Sequence, residues 1–265
     1  MSNKIEITTW NVNSVRKRLN SINIFLKDFI PDILLLQETK VSNELFPYQF
    51  FKDFGYHFIH HEGEKTGYNG VAIIAKSALE VIPKIEFIND ARHLAVKINN
   101  IELHNFYIPA GGDIPDVTMN DKFKDKLNFI DNMTKWFQGK KPTDNIIIAG
   151  DFNVAPLEND VWSHKQLLKI ISHTPVEVEK LSNLYNSLNF RDSVRKFTDD
   201  SEKLYSWWSY RARDWKKSNR GRRLDHIWTT ANLYHNVEKA NIFKSTRDHE
   251  VPSDHVPISI TLSLG

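Results

Sequence analysis

The sequence contains no cysteine and no long apolar run, and each absence excludes a class of protein. Without cysteine the chain can form no disulfide, no zinc–thiolate or iron–sulfur site and no catalytic thiol. The apolar runs, such as residues 33–36 and 146–149, are too short to span a bilayer. Residues 1–10 have neither the apolar core nor the small-residue cleavage site of a signal peptide. We therefore expect a cytoplasmic protein with no membrane segment.

The chain has little net charge, but its charges are unevenly distributed. The 265 residues carry 35 Lys and Arg against 33 Asp and Glu, a formal net charge of +2. Between residues 203 and 223 Asp214 is the only acid, and a concentration of positive charge of this kind indicates a polyanionic partner. Tyr and Trp interleave with the basic side chains, as on nucleic-acid-binding surfaces; the alternative places Trp208 and Tyr210 in the core and Trp207 outside. The basic residues of this segment are Lys203, Arg211, Arg213, Lys216, Lys217, Arg220, Arg222 and Arg223.

Strand and helix patterns alternate along the whole chain, without a linker-like segment or an internal repeat. We predict a mixed, layered α/β fold in a single domain, residues 1–265. Apolar patterns typical of strands cover residues 4–12, 32–37, 69–75, 94–98, 101–108, 145–149, 204–210, 224–229, 239–243 and 256–262. Helical spacing covers residues 14–29, with Ser14 as a possible N-cap, 122–137 and 177–188.

Three of the apolar strand patterns end in polar residues that a core does not need. Asn11 follows the first pattern, Glu38 the second, and Asp151 and Asn153 the third. Because residues two apart on a strand face the same side, Asp151 and Asn153 are predicted to point together. Gly150 allows the backbone or a ligand to approach closely at this point.

Two later polar clusters stand at the start of strand patterns: Asp225 opens one, and Asp254 and His255 precede another. If these strands run antiparallel to the first three, all seven polar residues meet at one rim of the sheets. Each residue alone also has an ordinary explanation, as a turn former, a helix cap, an ion-pair partner of a neighbouring arginine or a structural histidine.

Several carboxylates at one rim would repel one another unless a cation lies between them. A hard divalent cation bound by carboxylate, amide and water oxygens relieves this repulsion. The lack of cysteine and the prevalence of oxygen ligands favour Mg²⁺ or Mn²⁺ over zinc. Because Mg²⁺ usually completes its coordination with water and phosphate oxygens, the pattern indicates phosphoester chemistry.

Seven motifs occur in order from the beginning of the chain to its end. They are WNVNSVR (10–16), LQETK (36–40), NFYIP (105–109), GDFN (150–153), YSWWSYR (205–211), NRGRRLD (219–225) and PSDHVP (252–257). With these motifs the sequence resembles exonuclease III and the related apurinic/apyrimidinic endonucleases of base excision repair, in the endonuclease/exonuclease/phosphatase superfamily. The resemblance implies a four-layer α/β sandwich, with two mixed β-sheets packed face to face and helices outside.

The resemblance also implies which residues hold the metal. Glu38 would be the main ligand of Mg²⁺, for which Mn²⁺ can substitute. Asn11, Asp151, Asn153 and Asp254 would lie near the metal or share it.

Five residues are catalytic by the same resemblance. Asp151 would orient or deprotonate the attacking water, and Asn153 would hold a phosphate oxygen. His255, oriented by Asp225, would contact the scissile phosphate or act as a general base. Tyr107 would donate a hydrogen bond to the phosphate or to the leaving oxygen.

The basic, aromatic segment would form the DNA-binding surface. Basic side chains would contact phosphates, and an aromatic ring would wall the pocket of a flipped, baseless sugar. The expected DNA-contacting residues are Trp207 and Leu224 at the pocket, with Arg211, Arg220, Arg222, Lys40 and Arg92 elsewhere.

Two positions depart from the pattern of better-known members. Ala110 stands where they carry Gln or Asn after the Tyr-x-Pro motif, and Arg222 replaces an aromatic residue found beside the pocket in some relatives. Both changes affect the expected balance between endonuclease and exonuclease activity.

The sequence therefore predicts a Mg²⁺-dependent DNA-repair phosphodiesterase similar to exodeoxyribonuclease III, acting as a monomer on duplex DNA. It would incise 5′ to abasic sites and remove nucleotides or blocking groups from 3′ ends. The alternatives are a phosphoesterase of the same superfamily acting on RNA or a phospholipid head group, and a nonenzymatic DNA-binding module.

Overall fold

Two six-stranded sheets form the frame that carries the polar strand ends. The computed structural model describes residues 4–65, 67–212 and 214–264. The strands are β1 (Lys4–Asn11), β2 (Ile33–Gln37), β3 (Phe58–Glu62), β4 (Val71–Ala75), β5 (Glu80–Ile82), β6 (His93–Ile98), β7 (Ile101–Tyr107), β8 (Asn145–Asp151), β9 (Phe190–Asp192), β10 (Trp207–Trp208), β11 (Gly221–Arg222), β12 (Asp225–Thr230), β13 (Val237–Ile242) and β14 (Ile258–Ser263). The α-helices are α1 (Leu19–Asp28), α2 (Tyr48–Asp53), α3 (Asp121–Gln138), α4 (His164–Leu167), α5 (Pro175–Ser187), α6 (Trp215–Ser218) and α7 (Ala231–Tyr234).

The two sheets are both mixed and pack against each other through an apolar core. The first sheet has the order β13-β14-β1-β2-β4-β3, and the second has the order β5-β6-β7-β8-β12-β9. In each sheet one central pair is parallel, β1 with β2 and β7 with β8, and the other pairs are antiparallel. Ile7 and Leu35 of the first sheet lie in one buried cluster with Ile147 and Ile227 of the second.

Helices cover the outer faces of both sheets. Phe25 of α1 and Phe51 of α2 pack with Leu36 on the outside of the first sheet. Met133 of α3 and Leu184 of α5 belong to the cluster on the outside of the second sheet. The predicted four-layer α/β sandwich is confirmed.

Strand β8 is apolar on both faces because it lies in the middle of this sandwich. Ile147 and Ala149 face the other sheet, whereas Ile146 and Ile148 face the helices. A strand that is buried on both sides has no solvent-facing positions and therefore loses the alternation of polar and apolar residues.

Several sequence-based boundaries are wrong. The first helix begins at Leu19, not Ser14, because Ser14 has φ +87° and lies in a left-handed turn before the helix. The predicted strand 204–210 shrinks to the two-residue β10, which pairs with β11. Strands β3, β5, β9 and β11 and helices α2, α4, α6 and α7 were missed; all of them have six residues or fewer. None of the described helices is both long enough and apolar enough to cross a bilayer.

Candidate active site

The strand topology brings the predicted polar residues to one rim of the sandwich. β12 runs antiparallel to β8 and places Asp225 directly opposite Asp151. β14 runs antiparallel to β1, so that the chain before it, with Asp254 and His255, returns to the end of β1 at Asn11. The conditional prediction of antiparallel neighbours is therefore confirmed.

Asn11 joins the strand ends of the two sheets. It is completely buried, and its Nδ2 donates to Glu38 Oε1 and to Asp151 Oδ2, each at 2.8 Å. Glu38 follows β2 of the first sheet, whereas Asp151 ends β8 of the second. One amide group therefore fixes the relative positions of two carboxylates from different layers.

The backbone just before Asp151 requires glycine. Gly150 has φ +133°, and a Cβ atom there would lie 1.9 Å from the carbonyl oxygen of Phe106 on the neighbouring β7. A side chain would therefore force the two parallel strands apart immediately before the acidic rim. The close approach predicted at Gly150 is confirmed.

Asp151 is a buried carboxyl within a hydrogen-bond network. Its Oδ1 accepts the Asn153 backbone N–H at 2.9 Å, and its Oδ2 accepts from Asn153 Nδ2 at 3.1 Å. Burial raises the pKa of Asp151 to about 7; His255 acts in the opposite direction, and Asp225 adds to the rise. A nearby cation would favour the ionised form and reverse this shift.

His255 forms the predicted pair with Asp225. Its Nδ1 lies 2.8 Å from Asp225 Oδ2, which also accepts the Ser206 hydroxyl at 2.6 Å, and its Nε2 lies 3.8 Å from Asp151 Oδ2. Burial alone would lower the pKa of His255, but the Asp225 and Asp151 carboxylates raise it to about 10. The imidazole therefore has a fixed orientation and carries a proton next to Asp151.

The rim holds a group of side chains suited to a cation. Ligand atoms of Glu38, Asp151 and His255 all lie within 4.8 Å of one another. Glu38 Oε2 also lies 2.6 Å from Lys40 Nζ, an arrangement in which the ammonium balances part of the negative charge. Two carboxylates beside the Asn11 amide are oxygen donors of the kind that Mg²⁺ prefers.

Asp254 lies at the edge of this group and has partners of its own. Its Oδ1 accepts from Asn13 Nδ2 at 3.1 Å, and its Oδ2 accepts from Trp207 Nε1 at 3.0 Å. Lys40 Nζ donates to Asn13 Oδ1 at 2.6 Å. Asp254 thus links the acidic rim to the aromatic segment.

Tyr107 ends β7 beside the acidic rim and is 8% exposed. Burial raises its pKa well above the ordinary value, and the charges of Glu38 and Asp151 act in the same direction. The guanidinium of Arg92, itself bound to Asp90 at 2.7 Å, lies 4.6 Å from the centre of the Tyr107 ring. Tyr107 therefore keeps its proton and can donate a hydrogen bond.

The rim opens into a cavity of about 860 Å³ that also contains most of the expected DNA-contacting residues. Trp207 is half-buried and Leu224 is buried in its wall. Trp208 is also buried, but Tyr210 is 47% exposed, so the alternative that placed both in the core is wrong for Tyr210. Arg213 of the basic segment lies outside the described residues. Of the sequence-predicted residues, those that line the cavity are Glu38, Asn153, Trp207, Arg211, Arg220, Arg222, Leu224, Asp254 and His255.

A second, basic cleft was missed at the level of the sequence. It has a volume of about 550 Å³, and Lys40 lines it together with Arg16, Lys17 and Arg18. The available signal was the basic run at 16–18, which fell within the predicted helix 14–29. The left-handed turn at Ser14 instead sets this run before α1, beside Asn13 and the rim.

Fold and site together define a class of protein, a two-sheet α/β sandwich with the acidic, histidine-containing centre of a phosphoesterase. The profile described as the Endonuclease/Exonuclease/phosphatase family matches residues 8–255. The chain is 30% identical over 270 residues to exodeoxyribonuclease III of Haemophilus influenzae, covering 96% of this chain and 98% of that protein. The chain belongs to the endonuclease/exonuclease/phosphatase family, as the motifs indicated.

Solved structures give the same result. An AP endonuclease from Archaeoglobus fulgidus superposes with a TM-score of 0.89 at 31% identity, covering 97% of this chain and 99% of that one. The 3′ phosphatase NExo from Neisseria, bound to a product DNA hairpin, superposes with a TM-score of 0.89 at 30% identity, covering 98% and 99%.

Proposed function

We propose that this protein is a Mg²⁺-dependent DNA-repair phosphodiesterase that incises duplex DNA 5′ to abasic sites and removes nucleotides or blocking groups from 3′ ends. The similarity to exodeoxyribonuclease III and to AP endonuclease and 3′ phosphatase structures supports a hydrolase of the nuclease type. The observation that carries the proposal is the meeting of Asn11, Glu38 and Asp151 with the His255–Asp225 pair at the mouth of a basic, aromatic cavity. Its cytoplasmic location and monomeric state stay predictions.

The metal-binding residues follow from the donor set. Glu38 is the proposed main ligand, with Asn11, Asp151, Asn153 and Asp254 close to the metal or sharing it. When bound, Mg²⁺ would neutralise negative charge on the phosphate. Mn²⁺ has similar ligand preferences and is the proposed substitute.

The chemical step is hydrolysis of the bond between phosphorus and the 3′ oxygen. The oxygen of water forms a bond to phosphorus, the bond to the 3′ oxygen breaks, and that oxygen takes up a proton. Asp151 orients or deprotonates the water, and the Asn153 amide holds a phosphate oxygen. His255, fixed by Asp225, contacts the phosphate as an imidazolium, whereas its alternative role as general base requires the neutral ring; Tyr107 donates to the phosphate or the leaving oxygen.

DNA binding is assigned to the cavity and its surroundings. Arg211 and Arg220 are exposed on its rim and are proposed to contact phosphates, as are Lys40 and Arg92 beside the acidic centre. Trp207 and Leu224 are proposed to wall the pocket on the 3′ side of the scissile bond. In that position they would contact the group that is removed.

The proposal is tested with a duplex that carries one internal abasic-site analogue, incubated with Mg²⁺ or with chelator and resolved on a gel. We expect Mg²⁺-dependent incision immediately 5′ to the analogue, and shortening of the 3′ ends on the same gel. Glu38→Gln should lower the incision rate roughly 10³-fold, because it removes the charged carboxylate proposed to hold the Mg²⁺ that neutralises the reacting phosphate.

Glu80→Gln is the matched control. Glu80 is exposed on the edge strand β5. In the strand register it lies opposite Lys97 of β6, at the end of the sheet away from the rim. Full incision by Glu38→Gln would contradict the proposal. DNA binding without turnover under any divalent cation would favour a nonenzymatic module, and cleavage of RNA or phospholipid alone would favour another phosphoester.

A further inference from the structure

Arg222 stands in the wall of the proposed pocket where some relatives carry an aromatic residue. It belongs to β11 and lies directly opposite Trp207 of β10. Its guanidinium carbon lies 5.2 Å from the centre of the Trp207 ring. Leu224 follows two residues later, so one short segment supplies both a cation and an apolar contact to the same wall.

The guanidinium is held in place by neutral groups. Its Nη1 donates to the Ile171 carbonyl at 3.0 Å and to the Ser172 hydroxyl at 2.8 Å. Its Nε is buried and has no hydrogen-bond partner among the residues that the structure describes. The side chain therefore has a fixed position, and part of its hydrogen-bonding capacity is unused.

Arg222 also lacks a carboxylate of its own. The neighbouring Arg223 is bound by Asp160 and Asp192. For Arg222, burial lowers the pKa, and the acid that opposes this shift is Glu177, whose carboxylate is already bound by Lys126. Because a guanidinium does not lose its proton in proteins, Arg222 is a half-buried cation with no direct counter-ion in the described part of the chain.

A half-buried arginine without a direct counter-ion favours the binding of an anion in the cavity. The planar guanidinium fits carboxylate and phosphate oxygens, and partial burial strengthens the contact relative to one in water. Glu38, Asn153 and His255 line the same cavity, so the anion would be the reacting phosphate itself or a group attached to it. A neutral sugar would instead leave the charge of Arg222 unpaired.

We propose that Arg222 makes this pocket a binding site for an anionic 3′-terminal group. The enzyme would therefore prefer blocked 3′ ends that carry additional negative charge over internal abasic sites. The inference rests on the proposed function and names its substrate class. Two terminal groups have the required chemistry: a phosphomonoester, and a phosphate ester that carries a carboxylate, such as phosphoglycolate. Water attacks phosphorus, the bond to the 3′ oxygen breaks and that oxygen is protonated, which leaves a 3′ hydroxyl and releases phosphate or phosphoglycolate.

Four duplexes that differ only at the reacting position test this inference. They carry a 3′ phosphate, a 3′ phosphoglycolate, a normal 3′ hydroxyl nucleotide, and an internal tetrahydrofuran analogue of an abasic site. The ratio kcat/KM is measured with Mg²⁺ for the wild type, Arg222→Leu, Arg222→Lys and Arg220→Leu. Arg220→Leu is the matched control, since it removes an exposed arginine whose guanidinium lies over Trp162 at the rim of the same cavity.

We expect the wild type to act best on the two anionic ends. Arg222→Leu should lower kcat/KM for these ends by about 10- to 100-fold, the effect of one charged hydrogen-bonded contact, and that for tetrahydrofuran by less than about 3-fold. Arg222→Lys should fall between, because it keeps the charge and loses the planar fork. Arg220→Leu should lower all four values by a similar factor.

A loss on both anionic ends identifies the phosphate charge as the ligand, and a loss on phosphoglycolate alone identifies the carboxylate.

An equal loss on all four substrates in Arg222→Leu would overturn the inference, as would four unchanged values. In either case the proposed function stands as long as the wild type cleaves the duplexes. A wild type that cleaves none of them overturns the proposed function and the inference together. Thermal unfolding verifies that each variant is folded, and if Arg222→Leu is not, Arg222→Gln replaces it as a neutral variant that can still bind Ser172.

Discussion

At the scale of the residue, the chemistry of the rim depends on the hydrogen-bond partners of its polar side chains. The two nitrogen atoms of His255 face different carboxylates, Nδ1 that of Asp225 and Nε2 that of Asp151. The shorter contact, to Asp225, fixes the orientation of the ring and leaves the other nitrogen facing Asp151. The imidazole is therefore both oriented and electrostatically tuned by Asp225.

This arrangement predicts the effect of Asp225→Asn. The pKa of His255 should fall from about 10, because Asp225 is the strongest of the charges that raise it. NMR titration of the metal-free protein measures this shift. Loss of ring orientation should lower kcat roughly 10²- to 10⁴-fold, the usual contribution of a positioned acid or base.

Asp53→Asn is the matched control, because Asp53 is exposed at the end of α2 and its carboxylate accepts a hydrogen bond from Gln49 of the same helix. It should leave the His255 titration and kcat unchanged. An Asp225→Asn variant with normal kcat would show that Asp225 does not position His255 for catalysis.

A second prediction concerns His61, a buried histidine that is not among the proposed catalytic residues. It is buried on β3, stacks on Phe46, and has its Nε2 2.9 Å from the Thr39 hydroxyl. Burial lowers its pKa to about 4, whereas its unfolded value is about 6.5. Because the unfolded chain binds the extra proton between pH 6.5 and 4, stability should fall as the pH drops through this window.

Urea unfolding at pH 7.5 and pH 5 measures this effect. The linkage between the two pKa values amounts to about 2 kcal/mol for His61 at pH 5. His61→Gln keeps a polar group for Thr39 and should reduce the loss of stability on acidification by that amount. An identical loss in the wild type and the variant would mean that His61 is protonated in the folded protein.

At the scale of elements, helices α3 and α5 are joined by a fully buried ion pair. Lys126 and Glu177 both have no exposed surface, and Lys126 Nζ also donates to the Asn153 carbonyl at 2.8 Å. Glu177 accepts from Ser172 and Thr174 at the start of α5. The pair therefore ties the outer helices to the backbone of a proposed catalytic residue.

Lys126→Met is predicted to destabilise the protein by about 3–5 kcal/mol, because it leaves the Glu177 charge buried without its cation. The matched control is Lys180→Met, which breaks the partly exposed pair with Asp131 on the same two helices and should cost about 1 kcal/mol or less. Chemical unfolding measures both values. Equal effects of the two substitutions would contradict the assigned role of the buried pair.

At the scale of the whole molecule, basic side chains line two neighbouring openings although the net charge is only +2. Basic side chains line both the cavity at the rim and the cleft beside it, with Arg211 in the first and Arg16 in the second. Such a surface binds DNA phosphates and releases counterions, so affinity should fall steeply with salt concentration.

The dependence of binding on salt tests this distribution of charge. Arg211→Ala and Arg16→Ala should each lower the slope of log affinity against log salt by about 1, in a duplex-binding titration with Ca²⁺ replacing Mg²⁺. Lys239→Ala provides the control, because Lys239 is exposed on β13, the edge strand of the first sheet, and should leave the slope unchanged. A larger effect at Lys239 would place the DNA elsewhere.

Much of the fold and of the site could be predicted because the relevant signals are local. Asn11, Glu38 and Asp151 each follow an apolar strand, where a polar residue is conspicuous in the sequence. Most of the longer helices and strands were predicted, although the first helix begins five residues later than expected and the strand predicted over residues 204–210 has only two residues. The three-residue strands β5 and β9 were missed, since a pattern with a period of two needs more residues than that to be distinguished.

The sequence by itself determined the residue types at the strand ends, the glycine at position 150 and the departure at Arg222. These depend on the backbone and on side-chain chemistry at single positions. Only the tertiary structure decided that Asn11 bridges Glu38 and Asp151, that two carboxylates raise the pKa of His255, and that Arg222 has no carboxylate partner among the described residues. These properties depend on distances between segments that are far apart in the chain and on burial by several layers, which no local pattern encodes.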